Sequence, residues 1–369
     1  VEPASGSGAA EANVVGGIGV GEMIRRAGRR LGTALLLALL AAPALAPAAH
    51  AEDGETLDRI RSRGVLVCGL RSGVSGISFT DPQGHLDGFL ADVCRALAAA
   101  TLGSAQAIRV VRLPDKPQEF EAVEKHEVDI ALTTTTWTFS RDLSHDVEFL
   151  LPLLYDGQGF AILADGTPPP LDRLGPQTVC VKTATTTVRN LEDHIRQADR
   201  PWTLRTFKTF DEALQAFLAH ECGLLTTDRT VLVTSLAGYR RAGLGIHIYP
   251  DVISREPLTP YIVRGDRNWY DITRWILHAL ILADARGLAA ADIRAGRIPD
   301  DPELQAMLGH AGSAARMLGL PDDWAVQALA QVGNYGEIFD RNLAIPYGMD
   351  RGLNRPWTQG GMLYAPPFR

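Results

Sequence analysis

The sequence predicts an α/β chain of two lobes, each built on a parallel-type sheet, with two chain crossings between them and a helical C-terminal extension. Three observations carry this prediction. Short apolar runs alternate with amphipathic segments, the βαβ pattern of parallel strands joined by right-handed helical crossovers. The pattern is played twice, and in each copy a helix leads into a short strand with a threonine-rich carboxyl end: "EFEAVEKHEVDIALTTT" and "EALQAFLAHECGLLTTD". The length, 369 residues, is enough for about two domains.

In chain order, "GVLVCGL" (64–70) is a continuous apolar run, as in a strand buried on both faces. "FLADVCRALAAATLG" (89–103) reads as a helix stopped by Gly103. "AIRVVRL" (107–113) is a strand, "KPQEFEAVEKHE" a helix and "VDIAL" (128–132) another buried strand. In the second half "TVCVKT" (178–183), "WTLRTF" and "GLLTTD" (223–228) are strands, with "TTVRNLEDHIRQA" and "DEALQAFLAHEC" as the helices between them. "LLYDGQGFAIL" (153–163) makes the first crossing and "SREPLTPYIVRG" (254–265) the return, after which "WYDITRWILHALILADARG" packs on the first lobe. Two crossings make a hinge. The expected division is 56–157 for the first part of lobe 1, 158–258 for lobe 2, 259–285 for the return, and 286–369 for an extension packed on lobe 1. The extension ends in aromatic, Gly- and Pro-rich "YGMDRGLNRPWTQGGMLYAPPFR", a composition that argues for packing.

The first 51 residues stand outside this pattern. Met23 begins "MIRRAGRRLGTALLLALLAAPALAPAAHA", with four arginines, an apolar run from Leu31 to Ala46, and small residues closing it at Ala49-His50-Ala51. This is the three-part pattern of a secretory signal over 23–51, with cleavage expected before Glu52. The alternative is an uncleaved anchor, but the run is short for a span and is broken by Gly32 and Pro43. Residues 1–22 read as translation from too early a start. The net charge is −7, and near −8 without residues 1–51, with no block of like charges. That argues against nucleic acid as a partner and suits a soluble exported monomer. There is no P-loop, HExxH or CxxC motif, and the nine histidines show no metal-ligand spacing, so neither a metal nor a cofactor is expected.

Export changes how the four cysteines read. In an oxidising compartment an even number suggests two disulfides rather than buried thiols, with three connectivities open. Cys68 and Cys94 lie in one half of the chain, and Cys180 and Cys222 in the other. The expected pairing is therefore Cys68–Cys94 and Cys180–Cys222.

Ligands of open α/β sheets bind beyond the carboxyl ends of strands. At those ends stand "ALTTTTWTFSRD" (131–142), "KTATTT" (182–187) and "GLLTTD". Arg141 offers a planar fork for a carboxylate. Strand alternation puts Thr134 and Thr136 on one face, and Thr133 and Thr135 on the other. The ordinary alternative for Arg141 is a solvated surface residue. Asp228, in the equivalent place of the other lobe, suits a cation; its alternative is a turn or helix cap. Together the two residues describe a zwitterion, the α-carboxylate and α-ammonium of an amino acid. In "KTATTT" a strand passes into a helix whose N-terminal N–H groups, with the Thr185 and Thr186 hydroxyls, suit a carboxylate; the alternative is a simple threonine cap.

The chain resembles the periplasmic substrate-binding proteins of polar amino-acid ABC transporters, in particular the general L-amino-acid-binding branch. The resemblance runs from about Thr56 to Arg369. It is carried by "GVLVCGL", "GFLADVCRALAAA", "TTWTFSRD", "YDGQGF", "VCVKTATTT", "TTD", "ISREPLTP", "DWAVQALAQVGNYGEIFDRNL" and "GGMLYAPPFR". It implies a two-lobed type II binding-protein fold, a free L-amino acid as ligand and a membrane permease as partner. By position it implies that Arg141 holds the α-carboxylate, helped by Thr136, Thr186 and neighbouring backbone. Asp228 would hold the α-ammonium, Thr134 would line the same wall, Val74 and Ser75 the side-chain pocket, and Trp137 the cleft border.

The sequence departs from that branch at four places. Thr133-Thr134 replaces an Arg-Asn pair, Ala184 a turn glycine, Val188 an acidic residue, and Arg71 a small polar residue. Ala184 is costly if the turn needs positive φ. Arg71 either favours acidic side chains or faces solvent. The rival readings are a dehydratase of cyclic amino acids on the same fold, with His145 and Glu148 the nearest acid–base candidates, and an amino-acid sensor subunit.

Overall fold

The computed structural model describes residues 54–71, 73–80, 85–309 and 314–369. The export signal expected over 23–51, its cleavage point and the early start at 1–22 lie outside the described residues.

Helix α1 (Glu55–Arg63) carries Glu55 and Asp58 in its first turn and Arg61 and Arg63 in its last, which matches the helix dipole, and Gly64 ends it at φ 73. Strand β1 (Leu66–Leu70) follows, then the pair β2 (Phe79–Thr80) and β3 (Leu86–Asp87), and α2 (Phe89–Leu102). Next come β4 (Ile108–Arg112), α3 (Lys116–Glu124), β5 (Ile130–Leu132), α4 (Phe139–Ser144), β6 (Val147–Phe149) and the crossing strand β7 (Leu154–Asp156). The second set is β8 (Gln158–Leu163), β9 (Gln177–Lys182), α5 (Thr186–Gln197), β10 (Trp202–Phe207), α6 (Phe210–Leu218), β11 (Leu224–Asp228), α7 (Arg229–Arg241) and β12 (Ile246–Ile248). The return runs through β13 (Glu256–Leu258) and β14 (Tyr261–Val263) into α8 (Arg267–Ala285).

The two sheets share one plan. Their orders are β4-β1-β5-β14-β6 and β10-β9-β11-β8-β12. In each, the first three strands are parallel, and the strand delivered by a crossing lies antiparallel beside them: β14 in one, β8 in the other. The sheets are therefore mixed rather than wholly parallel, because a strand arriving from the opposite lobe needs no crossover helix to lie antiparallel. The crossings β7 and β13 pair as an antiparallel ribbon that sets Glu256 opposite Asp156.

Each half has its staple. Cys68 on β1 bonds Cys94 on α2, and Cys180 on β9 bonds Cys222 just after α6, the pairing expected from the sequence. Helix α8 is anchored by fully buried Trp269, whose indole donates to the Asp129 carbonyl at 2.8 Å.

The extension is packed, as its composition suggested. Its helical part includes α9 (Ala290–Arg294), α10 (Pro302–Met307) and α11 (Trp324–Val332), then one continuous run in which a π-helical segment (Asp340–Ala344) joins α12 (Tyr335–Phe339) to the single turn α13 (Ile345–Tyr347). Phe89 of α2 meets Tyr335 and Phe339 edge-on, with centroids 5.5 and 6.3 Å away. The Tyr335 hydroxyl donates to the Leu153 carbonyl at 2.6 Å. The Asn354 amide satisfies both backbone groups of Tyr155 on β7, accepting at 2.7 Å and donating at 3.1 Å. The extension thus reaches the hinge, and at the Pro346 carbonyl it also accepts from Arg241 of α7.

Candidate functional site

The carboxyl ends of β1, β5, β9 and β11 converge on one narrow cavity of about 20 Å³. That is room for roughly one water. The cleft therefore stands closed, and anything larger enters when the lobes part about the crossing ribbon. The first lobe contributes Arg71, Lys116, Thr134, Thr136 and Arg141, and the second contributes Lys182, the threonines 185–187, Phe210 and residues 226–228.

Arg141 is brought there by a short helix. The Thr138 hydroxyl caps α4 by accepting from the Arg141 N–H at 3.3 Å, which turns the side chain back over the strand end. Its guanidinium donates to the Thr136 carbonyl at 2.8 Å. Burial pulls its pKa below the ordinary value, and the carboxylates of Glu119, Glu256 and Asp228 lie near enough to offset part of that.

The threonine run divides as strand alternation suggested. Thr133 and Thr135 turn inward, donating to the Glu119 carboxylate at 3.1 and 2.7 Å. Lys116 completes this buried network, with its ammonium 2.7 Å from Glu119, 2.6 Å from the Thr135 hydroxyl and 3.4 Å from the Thr134 carbonyl. Burial brings Lys116 down to about 8 despite Glu119. Burial alone would raise Glu119, but the Lys116 charge and the Thr135 hydroxyl hold it below the usual range. Thr134 and Thr136 face the cavity instead. The Thr136 hydroxyl also bonds Glu256, whose other oxygen accepts from Asn190 at 2.8 Å and Ser254 at 2.6 Å.

Asp228 ends β11, and its side chain makes no cap bond to α7. That duty falls to Asp156 on the crossing strand, which accepts from the Thr230 N–H at 3.0 Å. Asp228 is thereby left for the cavity. Burial pushes its pKa up to about 8, with Asp156 and Glu256 adding to the rise.

At the β9 to α5 turn, Ala184 adopts φ 57. The Thr185 hydroxyl closes the turn on the Lys182 carbonyl at 2.9 Å and makes no cap bond to the helix. The first N–H groups of α5 are thus left without a side-chain cap at the cavity edge.

Three sequence-predicted residues stand elsewhere. Val74 is buried in the core and bridged to Ser78, and Ser75 lies beside the Tyr347 hydroxyl of the extension. Trp137 is held aside because its N–H donates to Pro257 at 3.0 Å and its ring stacks on Phe149. None of the three lines the cavity. Arg71 does, with its guanidinium 3.3 Å from the Thr134 hydroxyl. Lys116, Lys182, Phe210 and the threonines 187, 226 and 227 also line the cavity, outside the set expected from the sequence. Lys182 was findable, since it ends β9 just as Asp228 ends β11; Lys116 and Phe210 sit in first helical turns that only the folded chain brings inward. A roomier recess of about 660 Å³ lies between α7, β7 and residues 347–354. Of its three arginines, Arg229 and Arg240 are exposed and screened by solvent, and Arg351 is paired with Asp284.

A cleft between two lobes of matching plan, walled by an arginine from one and an aspartate from the other, defines a solute-binding receptor of the two-lobed class. The chain belongs to the amino-acid-binding proteins of ABC transporters. It is 38% identical, over 87% of its length and 95% of the relative's, to the glutamate/glutamine/aspartate/asparagine-binding protein BztA of Rhodobacter capsulatus. It is 34% identical to the general L-amino acid-binding periplasmic protein AapJ of Rhizobium johnstonii, over 91% of this chain and 99% of that one. Among solved structures, an ABC transporter periplasmic binding protein from Brucella ovis with glutathione bound matches 85% of this chain and 99% of its own, with a TM-score of 0.80 and 33% identity. No protein-family model matches the chain. Among the described residues, no helix is long and apolar enough to cross a membrane.

Proposed function

We propose that the chain is a non-catalytic, extracytoplasmic receptor that closes on a free L-amino acid and passes it to the permease of an ABC importer. The observation that carries this is the placement of Arg141 and Asp228, from opposite lobes, on one narrow cavity. Arg141 takes the α-carboxylate as a bidentate, charge-assisted pair, with Thr136, Thr186 and the open first turn of α5 as further donors. Asp228 takes the α-ammonium, and Thr134 lines the same wall. The two charges that meet the α-carbon groups come one from each lobe, so a zwitterion satisfies both, and binding favours closure.

The relatives' printed names, an amino-acid-binding protein and a periplasmic general L-amino acid-binding protein, support delivery to a permease and a periplasmic site of action. Removal of residues 23–51 on export rests on the sequence pattern of that segment. The protein acts as a monomer. His145, the imidazole expected as an acid–base candidate, stacks on Phe120 with centroids 3.8 Å apart and bonds Glu124 at 3.2 Å, and it does not line the cavity. That favours a receptor over a dehydratase.

The test is a calorimetric screen of mature protein against the twenty amino acids, after removal of any ligand carried through expression, since a bound ligand stabilises by mass action. The expected result is saturable one-to-one binding with recovery of unchanged ligand. Binding of no free amino acid, or its conversion without added permease, overturns the reading.

A further inference from the structure

Five titratable side chains line the cavity: Arg71, Lys116, Arg141 and Lys182 against Asp228. Four cations to one carboxylate is more positive charge than the two ends of a zwitterion require. Lys116 accounts for part of the excess, because its ammonium is already paired with Glu119 at 2.7 Å and bonded to Thr135. Arg141 and Asp228 are matched by the ligand's own carboxylate and ammonium.

Arg71 and Lys182 remain. Among the described residues Arg71 has one side-chain bond, to the neutral Thr134 hydroxyl at 3.3 Å, and Lys182 has no hydrogen bond or ion pair from its ammonium. They come from opposite lobes, Arg71 from the end of β1 and Lys182 from the end of β9. Their charges also interact: burial and then the Arg71 guanidinium hold the Lys182 ammonium below its ordinary pKa. The carboxylates behave in the opposite way. Asp156 and Glu256 gather near Asp228 from the crossing ribbon, so a ligand's ammonium has an acidic end to meet.

We propose that Arg71 and Lys182 together hold a second anionic group, so that the site prefers an L-amino acid whose side chain ends in a carboxylate. The proposal rests on the amino-acid-receptor reading above and names the substrate class of that site. Its physical basis is closure. With a neutral side chain in place, closing the cleft sets two cations from opposite lobes against each other, and the Glu119 and Asp115 carboxylates near Lys182 offset only part of the cost of its burial and of that repulsion. A carboxylate between them turns that repulsion into two charge-assisted bonds, one to each lobe, available only in the closed form. Arg71 and Lys182 are specificity-determining residues in this scheme, and the α-carbon groups stay with Arg141 and Asp228.

The test uses near-isosteric pairs, glutamate with glutamine and aspartate with asparagine, titrated calorimetrically into the mature protein. γ-Glutamylglycine stands for a peptide that places its second carboxylate farther out. In the native protein the acidic member should bind more tightly, on the order of 10- to 100-fold, as expected for one or two bonds to charged partners. Arg71→Gln and Lys182→Gln should each shrink that advantage, and together abolish it, by weakening glutamate and by strengthening glutamine as the repulsion between the two cations is removed. Tightest binding by γ-glutamylglycine, lost in Lys182→Gln, supports the same chemistry from a peptide source. Equal binding of glutamate and glutamine by the native protein, or an acidic advantage that survives both substitutions, overturns the proposal and leaves the receptor reading intact. Failure of every free amino acid to bind overturns both, and a native circular-dichroism spectrum with a cooperative melting transition shows that the variants fold.

Discussion

The hydroxyl oxygens of Thr136 and Thr186 lie 3.5 Å apart across the cleft, although 50 residues separate them in the chain. One stands beyond a strand of the first sheet and the other begins the helix that follows β9 in the second. A polar contact of this kind holds the closed form only weakly, since a typical hydrogen bond nets about 1 kcal/mol. Closure therefore depends on what the cleft holds, and the strongest holders are the charged residues beside the two threonines.

Arg141→Ala is expected to weaken binding of every amino acid by about 100-fold or more, because two charge-assisted bonds to the α-carboxylate are lost. Arg141→Lys should recover part of it, keeping the charge without the fork. Calorimetry across several side chains checks this, and a loss confined to one ligand class would remove Arg141 from the carboxylate position.

The Asp228 pKa of about 8 gives binding a pH dependence. Near pH 7 the carboxyl is mostly protonated in the ligand-free closed form, yet an ammonium requires the carboxylate. Binding should therefore release a proton, and affinity should rise between pH 6 and 8, by up to about tenfold per unit, then level off. For stability the sign is opposite. The folded pKa is raised above the unfolded value of 3.8, so this group's contribution is full below about pH 4 and is lost as pH rises through 8. Titrations in buffers of different ionisation enthalpy would read the released proton, and Asp228→Asn should remove both trends.

Ala184 occupies a left-handed turn at φ 57. Ala184→Gly should stabilise the protein by about 1 kcal/mol, visible as a higher melting temperature with ligand ranking unchanged.

The disulfides close chain segments with sequence separations of 26 and 42 residues. Removing either pair by double Cys→Ala substitution should cost roughly 3–4 kcal/mol. Denaturant melts would show it, with the Cys180–Cys222 lobe the more affected.

Much of this was legible because buried parallel strands announce themselves as apolar runs and the chain states its plan twice. The repeated threonine-rich strand ends located Arg141 and Asp228, and alternation sorted Thr134 and Thr136 from Thr133 and Thr135. The antiparallel lie of β8 and β14 was not legible, since a strand's direction relative to its neighbour depends on which lobe it enters from. Nor was the Lys116–Glu119 network, whose members look like an ordinary i, i+3 helix pair until Thr133 and Thr135 are folded against them. Val74, Ser75 and Trp137 were placed by position along the chain, and tertiary packing drew each of them to other partners.

The zwitterion clamp is tested most directly by a crystal structure of the mature protein with bound L-glutamate. The expected result is the α-carboxylate within about 3 Å of the Arg141 guanidinium and the α-ammonium equally close to an Asp228 oxygen. A ligand ordered in the recess beside α7, or one whose α-groups meet neither Arg141 nor Asp228, would contradict the account.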